Sequence, residues 1–136
     1  MCMIDDGGEF ATVISSVNYT AIKEHRCAEC NRTISIGEVY LREMVVGDHR
    51  PTTHKTCAHC QVVRRWLADE CGGWIFGRVS DDIRDHADES SDGQIKVMAD
   101  RMGRQWKMSD GRLLPLHSVA VQLVAAAGIE PATKGV

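Results

Sequence analysis

The sequence predicts a small α+β protein, and three observations lead to that prediction. Two Cys-x-x-Cys pairs, Cys27–Cys30 and Cys57–Cys60, are separated by 26 residues. Between them lies a segment rich in β-branched residues, which is typical of strands. After the second pair, apolar residues recur at helical spacing. With 136 residues, the chain has room for one domain, or for one domain with an extension.

Strands are predicted before and between the two cysteine pairs. Residues 10–19 are rich in β-branched side chains, and residues 38–46 form a stronger strand candidate. The chain can return over residues 52–56 as a further strand. Alternate side chains of the 38–46 strand would point to opposite faces, with Val39, Leu41 and Val45 on one face and Tyr40, Arg42 and Met44 on the other.

Helices are predicted after the second cysteine pair. The first runs from about Cys57 to Glu70, with Thr56 as its N-cap and Gly72 at its end. The second is an acidic helix that begins near Ser80, and the third covers residues 94–102.

A domain boundary is predicted in the loop before Gly93. Residues 1–92 would form the metal-binding module, and residues 93–136 would form a helix–hairpin–helix extension. The hairpin would turn at Asp110-Gly111. A last helix would cover residues 117–127 and leave a flexible tail after Gly128.

Composition and charge narrow the classes of function. Hydrophobic residues make up 43% of the chain and charged residues 26%, as in ordinary globular proteins. The net charge is −3, so a strong general attraction for nucleic acid is not expected. The charge is uneven, because residues 81–92 carry a net −5 and residues 93–136 a net +3.

The sequence also predicts a soluble, intracellular protein. Its first residues lack the basic and apolar stretches of a secretory signal. The longest apolar run, residues 119–129, is too short to span a bilayer and contains Gln122. In a reducing compartment, paired cysteines are more often metal ligands than disulfides.

The two cysteine pairs have the spacing of a zinc site. A Cys-x-x-Cys turn places both sulfurs on one side of a knuckle, where each can reach the about 2.3 Å of a Zn–S bond. Cys27, Cys30, Cys57 and Cys60 are therefore the predicted ligands of one zinc ion. The second pair would lie at a helix N-terminus, whose amide N–H groups soften thiolate charge. A knuckle, a hairpin and a helix in this order describe a treble-clef zinc finger.

His54 leaves one alternative open for the ligand set. It precedes Cys57 by three residues, a spacing that also matches a Cys-Cys-His-Cys site without Cys60. We favour Cys60, because a cysteine at the helix N-terminus fits the treble-clef geometry better. His59 is expected to point away from the metal, and Cys71 is expected to be a small core residue.

A site of four cysteines predicts a structural role for the zinc. Four thiolates fill a tetrahedral shell and leave no position for a reacting water. The chain also lacks the GxxxxGK[ST], GxSxG and HExxH motifs of common enzyme classes. The protein is therefore not expected to be an enzyme.

Three stretches of the sequence resemble a known group of proteins. Lys23–Ile34 places a basic residue and His25 before the first cysteine pair, Ile36–Arg42 reads Ile-Gly-Glu-Val-Tyr-Leu-Arg, and Lys55–Cys60 reads Lys-Thr-Cys-Ala-His-Cys. With these features, residues 20–76 resemble small zinc-finger proteins that recur in bacteriophages and prophages. The resemblance implies a phage-type origin, and with it a location in the cytoplasm of a bacterial host cell, and it favours Cys57 and Cys60 over His54 as ligands. It implies no defined activity.

The expected function is that of a non-enzymatic interaction protein that binds a host protein. The expected target is a host defence system or a nucleic-acid-processing system. An aromatic loop between glycines and an acidic segment are the candidate partner-binding features: Trp74, Phe76, Asp81, Asp82 and Asp85. The aromatic residues could instead cap the core of the zinc module.

Nucleic-acid binding through the basic C-terminal half is the alternative function. Five cations surround Trp106 in the sequence: Lys96, Arg101, Arg104, Lys107 and Arg112. The indole could stack on a base. We favour a core tryptophan within a solvated basic face, and the acidic segment would repel nucleic acid, so the protein partner ranks first.

Overall fold

The computed structural model describes residues 12–47, 49–116 and 118–119. Its strands and helices follow one another along these residues as β1 (Thr12–Thr20), β2 (His25–Arg26), β3 (Thr33–Ile34), β4 (Val39–Gly47), β5 (Arg50–Cys57), α1 (Ala58–Cys71), α2 (Val79–Glu89) and α3 (Gly93–Gly103). This is the predicted small α+β class. The predicted tail after Gly128 and most of the predicted helix over 117–127 lie outside the described residues.

An antiparallel sheet of three strands, in the order β1–β4–β5, forms the largest element. Tyr40 of β4 lies opposite Tyr19 of β1 on one side and opposite Cys57 of β5 on the other. The strands β2 and β3 form a separate two-stranded ribbon around the first cysteine pair. The strands predicted over 38–46 and 52–56 are confirmed as β4 and β5.

The two faces of the sheet have different surroundings. Glu43 of β4 bonds to Arg64 of α1, and Leu41 lies on the same side, so this face is covered by the helix. We call it the covered face. Tyr40, Arg42 and Met44 point to the opposite side, as their alternation in the sequence predicts, and we call that side the open face.

Helix α1 follows β5 without a loop. Cys57 is the last residue of β5 and also the N-cap of α1, and no side chain caps the helix. The prediction that Thr56 is the N-cap is wrong, because Thr56 is still a strand residue with a buried side chain. Gly72 ends the helix in the left-handed conformation (φ 82°), as predicted.

Helices α2 and α3 pack against each other, and the chain then turns sharply. The side chain of Asp92 caps α3 by accepting a bond from the Gln94 amide at 2.8 Å. After α3, Gln105 and Trp106 have φ angles of 59° and 63°. These turns leave little extended chain, so the predicted hairpin is reduced to a single bridge, between Lys107 and Leu113.

One hydrophobic core extends over both predicted segments. Residues from before and after the 92/93 boundary pack in the same buried cluster: Val63, Leu67, Ile83, Ile95, Met98, Met102, Trp106 and Leu114 among them. Trp106 is fully buried, which confirms that it is a core tryptophan. Its indole is therefore not available to stack on a nucleic-acid base.

A buried ionic network ties the elements together around Arg64. The guanidinium donates to Glu43 of β4 and to Glu29 of the first cysteine pair, each at 2.7 Å. Glu29 also accepts bonds from the backbone amides of Gly77 and Val79 at 3.0 and 3.2 Å. Arg64 thus connects α1, the sheet, the knuckle and the start of α2.

Removing the Arg64 guanidinium should strongly destabilise the protein. Arg64→Ala leaves two buried carboxylates without their cation, which typically costs about 3–5 kcal/mol. Arg65→Ala is the matched control, since Arg65 is the exposed neighbour on the same helix and should change stability by about 0.5 kcal/mol or less. Urea unfolding measures both. Equal effects of the two substitutions would contradict the network's role.

Candidate metal centre

Four cysteine sulfurs converge at the junction of the knuckle, β5 and α1. Cys27, Cys30, Cys57 and Cys60 are all buried, and their sulfur atoms lie within 4.8 Å of one another. The sulfurs of Cys30 and Cys57 are 3.9 Å apart. Tetrahedral Zn–S bonds of about 2.3 Å place sulfurs about 3.8 Å apart. The cluster therefore fits a single structural zinc ion with four sulfur ligands.

The knuckle around the first pair is built by backbone hydrogen bonds. The Asn31 amide donates to the Cys27 carbonyl at 3.0 Å. Asn31 has a φ of 64°, in the left-handed region that asparagine tolerates better than most residues. The Ala28 amide donates to the Lys55 carbonyl of β5 at 2.7 Å. This bond fixes the first pair beside the second.

Three N–H groups point at the ligand sulfurs. The backbone amides of Glu29 and Cys57 donate to Cys27 Sγ, each at 3.4 Å. The indole Nε1 of Trp106 donates to Cys60 Sγ, also at 3.4 Å. Such donors stabilise thiolate charge and orient the ligands. The contact from Trp106 was not predicted, because no local pattern connects two residues 46 positions apart.

The four cysteine thiols differ in how readily they lose a proton. Hydrogen bonds from the thiols of Cys30, Cys57 and Cys60, in that order, lower the pKa of Cys27. Burial is the largest cause that raises the pKa of Cys60, and hydrogen bonding with Cys27 is the next largest. Zinc binding must therefore release protons from the thiols that remain protonated, so metal affinity falls at low pH.

Arg32 supplies a buried positive charge beside the cluster. It is 3% exposed and forms two bonds of 3.0 Å to the carboxylate of Glu38. Burial alone would lower the pKa of Arg32, but Glu38 and the nearby Cys57 thiolate raise it above its usual value. The guanidinium thus stays charged and offsets part of the negative charge of four thiolates.

Neither of the two nearby histidines belongs to the sulfur cluster. His54 Nε2 lies 3.2 Å from Thr52 Oγ1, and its ring packs 4.9 Å from Phe76. The Cys-Cys-His-Cys alternative is therefore not the arrangement formed. His59 Nε2 donates to the Leu114 carbonyl at 2.6 Å, so His59 points away from the sulfurs as expected.

Cys71 packs at the edge of the core, near the end of α1. It is half-buried against the core cluster, and its sulfur lies 3.5 Å from His86 Nε2. This position agrees with the predicted small core residue.

The aromatic residues proposed for partner binding pack over Arg64. The guanidinium carbon of Arg64 lies 5.3 Å from the centroid of the Trp74 ring and 5.0 Å from that of Phe76. Both residues are half-buried. This contact favours the interpretation that they cap the core.

Of the three acidic residues proposed for partner binding, one is buried and two reach the surface. Asp82 is only 1% exposed and lies 3.5 Å from His86, so it does not contribute to a surface patch. Asp81 is partly exposed and forms a 2.8 Å ion pair with Arg78. Asp85 is exposed. The local charge count could not separate these cases, because helix rotation decides which carboxylates face the core.

The chain shows no significant similarity to any known protein family, curated protein or solved structure. The fold and the site themselves define the class, a small α+β protein with one four-cysteine structural zinc site. Within the described ranges, no helix has the length and apolar character needed to cross a membrane.

Purified protein should contain one zinc ion per chain, and removal of the metal should unfold it. Binding free energy at a structural zinc site is largely folding free energy. Cys60→Ser should lose both zinc and the cooperative thermal transition, whereas His54→Ala should keep one equivalent of zinc. Elemental analysis and thermal denaturation measure these outcomes. Zinc loss in His54→Ala with retention in Cys60→Ser would reverse the ligand assignment.

Loss of the indole N–H beside Cys60 should weaken zinc binding. Trp106→Phe keeps an aromatic ring in the core but removes the donor to the sulfur, and such outer-shell losses typically reduce metal affinity by about 10- to 100-fold. Trp66→Phe is the matched control, because the Trp66 indole N–H has no hydrogen-bond partner among the described residues. Competition with a chromophoric chelator measures both affinities, and equal values would show that the bond has no effect on the metal.

Proposed function

We propose that this protein is a non-enzymatic, zinc-stabilised module that binds a host protein. The observation that carries the proposal is the closed metal site. Four buried sulfurs complete a tetrahedral shell, so a bound zinc ion has no position for water or substrate. The metal then serves to hold the knuckle on the β5–α1 junction. We further propose that the knuckle, β4, β5 and α1 form a treble clef.

The exposed apolar side chains support the proposal that part of the surface binds a protein partner. Seven of the ten exposed large apolar side chains in the described ranges fall between residues 13 and 39. Three of these are 87%, 68% and 50% exposed, namely Ile22, Ile36 and Val39. They lie close together because the Gly37 amide donates to the Ala21 carbonyl at 2.8 Å. We call these three residues the apolar tip.

The apolar tip fits a protein surface better than a small ligand or a polyanion. Burying a side chain such as isoleucine contributes about 1.5–3 kcal/mol. Three such side chains at a convex turn can anchor a partner's apolar pocket. The proposed target is a host protein of a defence or nucleic-acid-processing system, and this choice rests on the short motifs of residues 20–76 and not on a matched family. Asp81 and Asp85 remain candidates for a second contact.

Nucleic-acid binding through the C-terminal half remains the second candidate, favoured by one cavity. Lys96, Arg101, Arg104 and Lys107 line a cavity of about 460 Å³. Asp100 lies in the same cavity and forms a 3.0 Å ion pair with Arg104, which lowers its positive potential. Because Trp106 is buried, this site could hold phosphates but could not stack a base.

Capture from a bacterial lysate tests the proposed function. Immobilised wild-type protein should retain a defined host protein after nuclease treatment. Ile22→Ser/Ile36→Ser should lose that protein while its zinc content and circular dichroism stay unchanged, because both side chains are exposed. Leu116→Ser, a control at another exposed apolar residue outside the tip, should retain it. Capture that disappears with nuclease, or that the tip substitutions leave intact, would contradict the proposal.

A further inference from the structure

Among the described residues, the side chains on the open face of the sheet include no carboxylate. Its side chains form rows across the three strands, and the rows nearest the knuckle are Tyr19–Tyr40–Cys57, Val17–Arg42–Lys55 and Ser15–Met44–Thr53. Val17 and Tyr19 are each 44% exposed, and Arg42, Met44 and Lys55 are half-buried. Tyr40 and Cys57 in the first row are buried, so the accessible part of this face is formed by β1 and by the second and third rows, whose polar groups are cations and hydroxyls.

Two cations lie directly opposite each other in the middle of this face. Arg42 of β4 is paired in register with Lys55 of β5. Like charges in directly opposite positions destabilise an antiparallel pair. Within the described residues neither cation forms an ion pair, and the Lys55 ammonium instead lies 3.2 Å from His25 Nδ1. In the part of the chain that the structure describes, no carboxylate therefore balances this positive charge.

Most of the acidic residues described between residues 12 and 57 bind cations away from the open face. Four are described between residues 12 and 57, and three of them have buried or paired carboxylates. Glu29 and Glu43 bind Arg64 in the interior, and Glu38 binds Arg32. The fourth, Glu24, is exposed. Among the described residues of this segment, the charge that reaches the surface is therefore mainly positive.

Aromatic rings lie beside the cations. The centroid of the Tyr40 ring is 6.2 Å from that of Tyr19 and 4.7 Å from that of His25. Tyr19 is the exposed end of this group. It stands two residues along the strand from the row of cations, which is about 7 Å. An exposed ring next to unpaired cations on a sheet is the arrangement that stacks bases and holds phosphates.

We propose that the open face binds single-stranded nucleic acid, with Arg42 and Lys55 contacting phosphates and Tyr19 stacking on a base. A second copy of the chain is a poor occupant, since it would set the same cations against each other. A duplex is also a poor occupant, because its bases are stacked internally and cannot reach Tyr19. This function goes beyond the proposed protein binding and uses none of the residues of the apolar tip.

Fluorescence anisotropy with a labelled oligothymidylate of about 20 nucleotides tests this proposal, with a duplex of equal length for comparison. Binding should be measurable at low salt, and the logarithm of affinity should fall with the logarithm of salt with a slope of about −1.4 for two phosphate contacts. Arg42→Gln/Lys55→Gln should bring the slope close to zero. Tyr19→Ala should weaken binding by about 5- to 100-fold without changing the slope.

Two further variants keep the test independent of folding. Tyr19→Phe retains the stacking ring and should bind as the wild type does. Arg104→Gln/Lys107→Gln alters the C-terminal basic cavity and should leave binding unchanged. Zinc content and thermal denaturation verify the fold of each variant. Three results would overturn the proposal: no binding at low salt, tighter binding of the duplex, or a loss confined to the Arg104/Lys107 variant. Each leaves the lysate experiment unaffected.

Discussion

The convergence of four cysteine sulfurs is the constraint on which the rest of the structure depends. The first pair lies on a two-stranded ribbon and the second at a strand–helix junction, so neither segment could hold its position through local contacts alone. Zinc bonds would join them covalently, and Arg32 partly offsets the charge. The C-terminal half is attached to the same centre, through the Trp106–Cys60 and His59–Leu114 hydrogen bonds.

The sequence predicted what is set by local geometry. The spacing of the two Cys-x-x-Cys pairs identified the cluster, and the left-handed Asn31, the alternation along β4 and the span of α1 follow from short-range patterns. Contacts between distant segments could not be predicted in this way. The Arg64 network and the donor from Trp106 exist only because tertiary packing brings those side chains together.

Two other differences between the sequence predictions and the structure also arise from tertiary packing. Thr56 has the composition of a helix N-cap, but β5 extends through it and Cys57 begins the helix. Residues 1–80 carry nine Lys/Arg and ten Asp/Glu, so the charge counted along this part of the sequence is nearly neutral. In the fold, Glu29 and Glu43 are buried with Arg64, so the open face is basic while α2 keeps exposed carboxylates such as Asp85. Burial, and not composition, therefore determines which charges a partner meets.

The central claim is that the metal has a closed shell of four sulfurs, and zinc K-edge X-ray absorption tests it most directly. The structure predicts four sulfur scatterers at about 2.3 Å and no lighter atom in the first shell. A nitrogen or oxygen scatterer at about 2.0–2.1 Å would mean that a histidine or a water replaces one thiolate. That result would contradict the closed site, and with it the main argument for a non-enzymatic role.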